Sequence, residues 1–352
     1  SHRHQCHHQV ILMAIPHFVV NGNARQRGQA QGESFKQRIH ETVDFYESQL
    51  FKNANLSPER VRESAEIVKR RIGDFSRDFT DEIEAIAEAS DLESWRLFAL
   101  NARTEILNTR VGECTSAVFR DSALIGQTWD WLEQLEDLAV LVEHHYSDGL
   151  KLVTLTEPGI LAKVGLNNRG LGLCLNFLSS RHALSGLPVH IVCRAILEAI
   201  DVGQAREKIA DSRTGKSSHF LVADRSGDAL SMEFAGENHT EINLQNGNYL
   251  HTNHCINNTF SSDAIPGSED RLAQGYKELE RRASNDLEIM KRLLLHNEGE
   301  EYAIQSDYKA EAMFGGLTVG TCAPVICDLN TSTLHINQGP GGAANFQTLR
   351  MS

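Results

Sequence analysis

Paired cysteines at metal or redox spacing are missing from this 352-residue chain. Its seven cysteines are dispersed without a C-x-x-C, and an odd number in a chain this long makes a poor disulfide framework. A basic excess is missing too. The 34 Lys and Arg face 47 Asp and Glu, a formal charge of −13, which opposes a general binder of nucleic acid or anionic membrane, since both reward a basic face. A local basic pocket stays open. No apolar run near the start approaches the roughly 20 residues that span a bilayer, the longest being residues 10–15. No secretory layout of apolar core and small-residue cleavage site accompanies it, and no repeat of solenoid length occurs. These absences lead to the expectation of a cytoplasmic protein with neither membrane nor nucleic-acid partner. What is present is a hydrophobic fraction of 41%, enough for a substantial core and incompatible with a disordered or fibrous chain.

Along the chain, residues 1–9 hold four His and Cys6 but nothing to fix ligand geometry, and read as an unstructured terminus. Residues 10–20 read as a strand interrupted by Pro16. From 23 to 100 the pattern is helical: Ile39, Val43, Tyr46 and Leu50 recur at helix spacing, and Ser57-Pro58 is an N-cap with a first-turn proline. A third helix is expected from Thr80 with Asp81 and Glu82 in its first turn, and a fourth over 93–105. After Gly112 the pattern switches to short strand-like runs at 115–119, 123–128, 138–145, 150–156, 160–166 and 171–177, which read as an antiparallel meander. Helices over 188–209, strands near 219–223 and 229–234, helices between 268 and 296, and two last strands near 321–327 and 333–337 complete the pattern. Two stacked sheets enclosed by helices are expected.

Familiar cofactor signatures do not appear. His251 and His254 flank Asn253 without H-E-x-x-H, His144 and His145 point to opposite faces of a strand, and no Cys stands at zinc spacing. Neither Arg27-Gly28-x-x-x-Gly32 nor Gly339-Pro340-Gly341-Gly342 carries a phosphate or dinucleotide fingerprint. A site without metal or cofactor is expected. Cys174, Cys193, Cys255, Cys322 and Cys327 sit in apolar or strand-like segments as ordinary buried thiols. Cys114 stands at the junction between the helical front and the first sheet strand, and its position alone leaves it open between structural thiol and nucleophile.

Four segments taken together carry a resemblance. Gly112-Glu113-Cys114-Thr115, Gly126-Gln127-Thr128-Trp129-Asp130, Gly165-Leu166-Asn167-Asn168-Arg169-Gly170 and His251-Thr252-Asn253-His254-Cys255 are similar to the acyl-CoA:isopenicillin N acyltransferase family of N-terminal nucleophile (Ntn) cysteine hydrolases. The match runs from Gly22-Asn23-Ala24 to the terminal strands. The resemblance implies an α+β chain: a four-layer αββα sandwich with a helical N-terminal portion. It implies self-cleavage of the Glu113-Cys114 bond, an upstream fragment 1–113 packed on a catalytic fragment 114–352, and no cofactor. Cys114 looks like the nucleophile, Asn253 matches the oxyanion-hole asparagine, and Asp130 matches the acidic residue needed for maturation and for ordering the site. Thr115 and His251 are candidates for substrate or oxyanion support. The implied partner is a small N-acyl substrate, with acyl-CoA as an alternative donor.

A free α-amine has a reference pKa of about 7.7–8.0 and a thiol about 8.5, so a cysteine at a new terminus supplies nucleophile and base together. Three departures bear on this reading. Glu113 stands where several family members have Gly; residues 316–320 lack the arginine of the fungal acyltransferases; and the final residues do not match a Ser-Lys-Leu address. The missing arginine favours hydrolysis over transfer to a carboxylate-bearing β-lactam. Glu113 keeps a noncatalytic, uncleaved protein of the same fold in view.

Overall fold

The computed structural model describes residues 15–108, 114–179, 185–257, 265–282, 284, 286–298, 301–340 and 345–351. The His-rich residues 1–9, the expected strand portion 10–14, Gly112, Glu113, Gly341 and Gly342 lie outside the described residues. The upstream part comprises β1 (His17–Asn21), α1 (Ala24–Ser34), α2 (Lys36–Phe45), a π-helical turn (Tyr46–Phe51), α3 (Pro58–Phe75), α4 (Arg77–Ala89), α5 (Ser94–Asn101) and α6 (Arg103–Leu107). There follow β2 (Ser116–Phe119), β3 (Leu124–Leu132), α7 (Glu133–Glu136), β4 (Val140–His145), β5 (Lys151–Thr156), β6 (Val164–Asn167), β7 (Leu171–Phe177), α8 (Val189–Leu197) and α9 (Val202–Asp211). The last part holds β8 (Lys216–Asp224), β9 (Ala229–Gly236), β10 (Asn238–Ile242), β11 (Asn248–His251), α10 (Ser268–Glu280), α11 (Leu287–Leu294), β12 (Lys309–Ala310), β13 (Thr318–Asp328), β14 (Thr333–Ile336) and β15 (Gln347–Arg350).

Two sheets result. One has eight strands in the order β1-β4-β5-β6-β7-β8-β9-β10; the other has seven, β11-β2-β3-β13-β14-β15 with β12 on β13. Every pair is antiparallel except β1 with β4. The single meander expected over 115–177 is therefore corrected. The β2–β3 hairpin belongs to the second sheet, and only β4 to β7 form a meander, in the first. The short α7 directly after β3 carries the chain from one sheet to the other.

Side-chain alternation sets the layers. In the second sheet Val118 and Ile125 face the core shared with the first, while their neighbours Ala117, Phe119 and Leu124 face a separate cluster with Ile289, Met290, Leu293 and Leu294 of α11. A Cβ on Gly172 of β7 would stand 2.6 Å from Ile125 and 2.8 Å from Leu329, so the sheets meet there without room for a side chain. Helices α8 and α9 cover the outer face of the first sheet, α8 on β6 and β7 and α9 on β8 and β9. The sandwich is thus α-β-β-α, as expected.

The Ser57 cap of α3 is present, its Oγ accepting from Arg60 N at 3.3 Å. Helix α4 starts earlier than expected, at Arg77, because Ser76 Oγ caps it by accepting from Phe79 N at 3.4 Å. That moves Glu82 beyond the first turn and into the interior, where it accepts from Arg194 at 2.8 and 3.1 Å and from Arg27 at 3.1 Å. The helix expected over 93–105 is broken at Ala102 into α5 and α6. The Arg27-Gly28-x-x-x-Gly32 run has a packing role: a Cβ at Gly28 would press on the Glu82 carbonyl and lie 2.8 Å from the Ala85 Cβ, and one at Gly32 would lie 2.7 Å from Ala89 Cβ. Helices α1 and α4 cross there.

Substituting Gly28→Val is expected to lower unfolding free energy by about 1–3 kcal/mol, the usual cost of overpacking, read from urea midpoints at constant slope. Gly73→Ala in α3, whose nearest foreign atom is 3.6 Å away, is the control and should be neutral or stabilising.

Candidate active site

Cys114 stands two residues before the start of β2, and Asp130 lies near the end of the antiparallel neighbour β3. This hairpin brings them together: the Asp130 backbone N–H points to Cys114 Sγ at 3.5 Å. Asp130 Oδ1 accepts from Thr321 Oγ1 at 2.7 Å across the β3–β13 pair, beside an irregularity between Thr321 and Ala323 that re-aims the strand. The Cys114 carbonyl is clamped by two donors, Asn176 Nδ2 at 2.9 Å and Arg271 Nη1 at 3.1 Å. Arg271 also donates to Thr115 Oγ1 at 3.1 Å and, through Nη2, to Asn253 Oδ1 at 2.9 Å. One fully buried guanidinium from α10 thus ties Cys114, Thr115 and Asn253.

The other expected residues are placed as follows. Asn253 follows β11, its amide oriented by Arg271 on one side and by donation from Nδ2 to the Phe177 carbonyl at 2.9 Å on the other. The Thr115 N–H is used on Thr128 Oγ1 at 3.0 Å. Both ring nitrogens of His251 are engaged elsewhere: they bond Glu233 Oε1 at 2.7 Å and the Thr252 carbonyl at 2.8 Å, and the ring stacks on His219 with centroids 3.4 Å apart. His219 in turn contacts Asn176 Oδ1 at 3.0 Å, so His251 reaches Cys114 through a stack and an amide rather than directly. Glu113 lies outside the described residues. Within the Gly165 to Gly170 motif, Asn167 shapes the turn between β6 and β7, its Oδ1 accepting from Arg169 N at 3.0 Å and Leu171 N at 3.1 Å.

Cys114 faces a half-open cavity with about 680 Å³ of space, solvent at its mouth included, and Trp129, Asp130, Trp131, Arg103, Lys163 and His190 are among its lining. Trp129 forms part of this wall. Sequence reasoning missed the charged part of it. Glu157, just beyond β5, is fully buried and accepts from Arg103 at 2.9 and 3.1 Å, from Lys163 Nζ at 2.7 Å and from the Tyr46 hydroxyl. Trp131 Nε1 donates to Tyr46 Oη at 2.9 Å. The Arg103 guanidinium lies 4.7 Å over Trp131 and the Lys163 ammonium 4.5 Å over Trp129.

Electrostatics follow from burial. Burial, with Asp130 second, pushes the Cys114 thiol up to about 12 in the uncut chain. Burial also opposes charge on Glu157, but Arg103 and then Lys163 overcome it and hold that carboxyl at about 2. Burial followed by Arg103 lowers Lys163 to about 8. Among the described residues one trio, Glu278, His296 and Glu298, brings ligand-type atoms within 4.8 Å of one another. Glu278 is already paired with Arg281 and Arg282, and none of the three lines the cavity.

This geometry describes a buried thiol beside a carboxylate and a fixed amide, on a two-sheet sandwich: the layout of an acyl-transfer enzyme. The profile of the family described as acyl-coenzyme A:6-aminopenicillanic acid acyl-transferase matches residues 118–336. The chain belongs to that family, and it is an enzyme. A relative from Emericella nidulans, the 40 kDa form of acyl-coenzyme A:6-aminopenicillanic-acid-acyltransferase, is 28% identical over 255 residues, 69% of this chain and 70% of its own. Among solved structures, a mutant conjugated bile acid hydrolase from Clostridium perfringens overlaps with a TM-score of 0.44 at 12% identity, covering 68% of this chain and 92% of that one. Penicillin V acylase from Agrobacterium tumefaciens gives 0.39 at 10%, covering 68% and 86%. The layer order itself, rather than these overlaps, defines the architecture.

The Glu157 cluster has a signed acid dependence. Its folded-state pKa of about 2 lies below the unfolded carboxyl, so its contribution is present above about pH 4.3 and is lost as pH falls towards 2, a span of roughly 3 kcal/mol. Glu157→Gln, which leaves two buried cations without their counterion, should cost about 3–5 kcal/mol at pH 7. The gap to wild type should narrow as pH falls below 4, measured by urea unfolding across pH.

Proposed function

We propose that this chain is a self-processing cysteine amidohydrolase that cleaves a small N-acyl compound through an acyl-enzyme on Cys114. The observation that carries it is the Asp130 N–H aimed at the Cys114 sulfur in a cavity, with the Cys114 carbonyl clamped by Asn176 and Arg271. In maturation the thiol attacks the Glu113 carbonyl carbon. The C–N bond breaks as its nitrogen takes a proton, leaving a thioester and a free amine, and water then releases the Glu113 carboxylate. The need for scission is electrostatic. With the thiol at about 12, only about one molecule in 10⁵ is thiolate at pH 7, and the amide nitrogen of an uncut chain is no base.

In the mature enzyme the α-amine of Cys114 takes the thiol proton, sulfur attacks the amide carbonyl, and Asn253 Nδ2 donates to the oxyanion. The α-ammonium protonates the leaving amine, and water hydrolyses the acyl-enzyme. Asp130 holds the new ammonium, and Arg271 positions Thr115 and Asn253. His251 acts as a positioning residue through His219 and Asn176. A second reading, acyl-CoA-dependent N-acyl transfer, is favoured by the name of the 28% identical relative; there the acyl-enzyme forms from a thioester with the coenzyme A thiol as leaving group, and an amine rather than water takes the acyl group.

The division into fragments 1–113 and 114–352 is part of this proposal. Their lasting association is supported by β1 pairing with β4, by the Glu82–Arg194 ion pair and by Arg103 and Tyr46 on Glu157. A cytoplasmic setting is supported by Cys114, Cys174, Cys193, Cys322 and Cys327, none of which is in a disulfide, and no described helix is long and apolar enough to cross a membrane.

Intact mass with amino-terminal sequencing should find two fragments, the second starting at Cys114. Cys114→Ala should remain one chain with no amide turnover; active uncut protein, or activity in that variant, overturns the reading. In protein isolated before cleavage, iodoacetamide labelling of Cys114 should keep rising with pH to about 12. In cut wild type the labelling should level off near the ordinary thiol range of about 8.5.

A further inference from the structure

The charged wall of the cavity is not used by the chemistry above. Lys163 is 5% exposed, and among the described residues its Nζ has a single ion-pair partner, Glu157 at 2.7 Å, although an ammonium carries three donors. Arg103 directs Nε and Nη2 at the same carboxylate oxygen and leaves Nη1 with only a 3.4 Å contact to Thr104 Oγ1. Glu157 is saturated, with its other oxygen taken by Tyr46, while the two cations are not. His190 of α8, 2% exposed, lines the same cavity with neither ring nitrogen in an ordinary hydrogen bond, the Ala162 backbone exerting only a minor pull.

We propose that Lys163 and Arg103 form a carboxylate-recognition subsite in the Cys114 cavity, so that the substrate is a small N-acyl compound bearing one carboxylate and an apolar body. The proposal rests on the Cys114 reading for the location of the scissile amide. Two cations against Glu157 leave one positive charge in excess, while Asp130 is reserved for the ammonium that scission creates. One excess charge suits a carboxylate rather than a phosphate dianion. Trp129, Trp131, Leu107, Val164, Leu175 and Phe177 supply the apolar walls. His190, held neutral by burial and by Arg103 and Lys163, offers one N–H to the ligand. A bound anion would also keep Lys163 charged, which burial otherwise discourages.

A matched pair without a scissile internal amide tests this: 4-oxo-5-phenylpentanoic acid and its primary amide, titrated calorimetrically into the purified wild type, K163Q and K163R. Wild type and K163R should bind the acid about tenfold or more tightly than the amide, the scale of one charge-assisted hydrogen bond, and K163Q should bring the ratio close to one. Equal binding by wild type, a preference that survives K163Q, or no binding of the acid at millimolar concentration overturns the subsite. If K163Q does not fold, the wild-type and K163R ratios decide alone: both at tenfold or more support the subsite, and either near one overturns it. Turnover of N-phenylacetylglycine and N-phenylacetylglycinamide separates this from the parent reading. Acid preference in binding with no turnover of either removes the Cys114 chemistry and keeps the subsite; equal kcat/KM for both keeps the chemistry and removes the subsite.

Discussion

Glu157 is the carboxylate on which both halves of the site depend. Tyr46 reaches it from a π-helical turn, Arg103 from the last upstream helix, and Lys163 from the residue before β6. Burying these charges is costly, and the cluster offsets the cost only because the carboxylate accepts from all three partners. Through Tyr46 it fixes the indole of Trp131, and through the two cations it presses on both tryptophan faces. The shape of the cavity is therefore a consequence of one acid's need for partners. A local departure from α-helical geometry at Tyr46–Phe51 accompanies that need, as π-helical turns often do near functional positions.

A second set of polar contacts knits the two sheets at the same end. Gln127 of the second sheet accepts from Leu175 N at 2.7 Å in the first. Asn176 takes Ser116 Oγ at 2.6 Å and meets His219 at 3.0 Å while holding the Cys114 carbonyl. Apolar side chains alone would let the sheets slide by small amounts. Amides with both ends engaged allow one register, and so fix the surroundings of the Cys114 sulfur.

Much of the architecture was readable because its causes are local. Ser57-Pro58 announces a helix start, and alternation in the 140–177 region announces strands; both are present. The sheet assignment of β2 and β3 was not readable, since strand pattern says nothing about which partner a hairpin chooses. Helix α4 was placed late because Asp81 and Glu82 look like first-turn acids, whereas Glu82 answers to Arg194, more than a hundred residues on. In the site, Cys114, Asp130 and Asn253 came from motif order, and the fold brings all three to one neighbourhood. Arg271, Lys163 and Arg103 escaped because a cation is by default a surface residue and its burial leaves no mark on periodicity. The signal that was available is adjacency: Lys163 stands two residues before the Gly165 motif, and Arg103 is interleaved with the apolar end of the helical front.

Among the described residues, β1 is the strand that pairs in parallel. It lines the edge of the eight-stranded sheet along β4, yet it belongs to the opposite side of residue 113 from every other strand. While the backbone is continuous, β1 is tethered and its docking is a unimolecular event. A break at that point turns the same contact into an encounter between two molecules, governed by dilution, and departure of the smaller piece would bare a row of unpaired amides ready to recruit foreign strands. Endurance of such a nicked protein would then be set by how slowly that strand lets go.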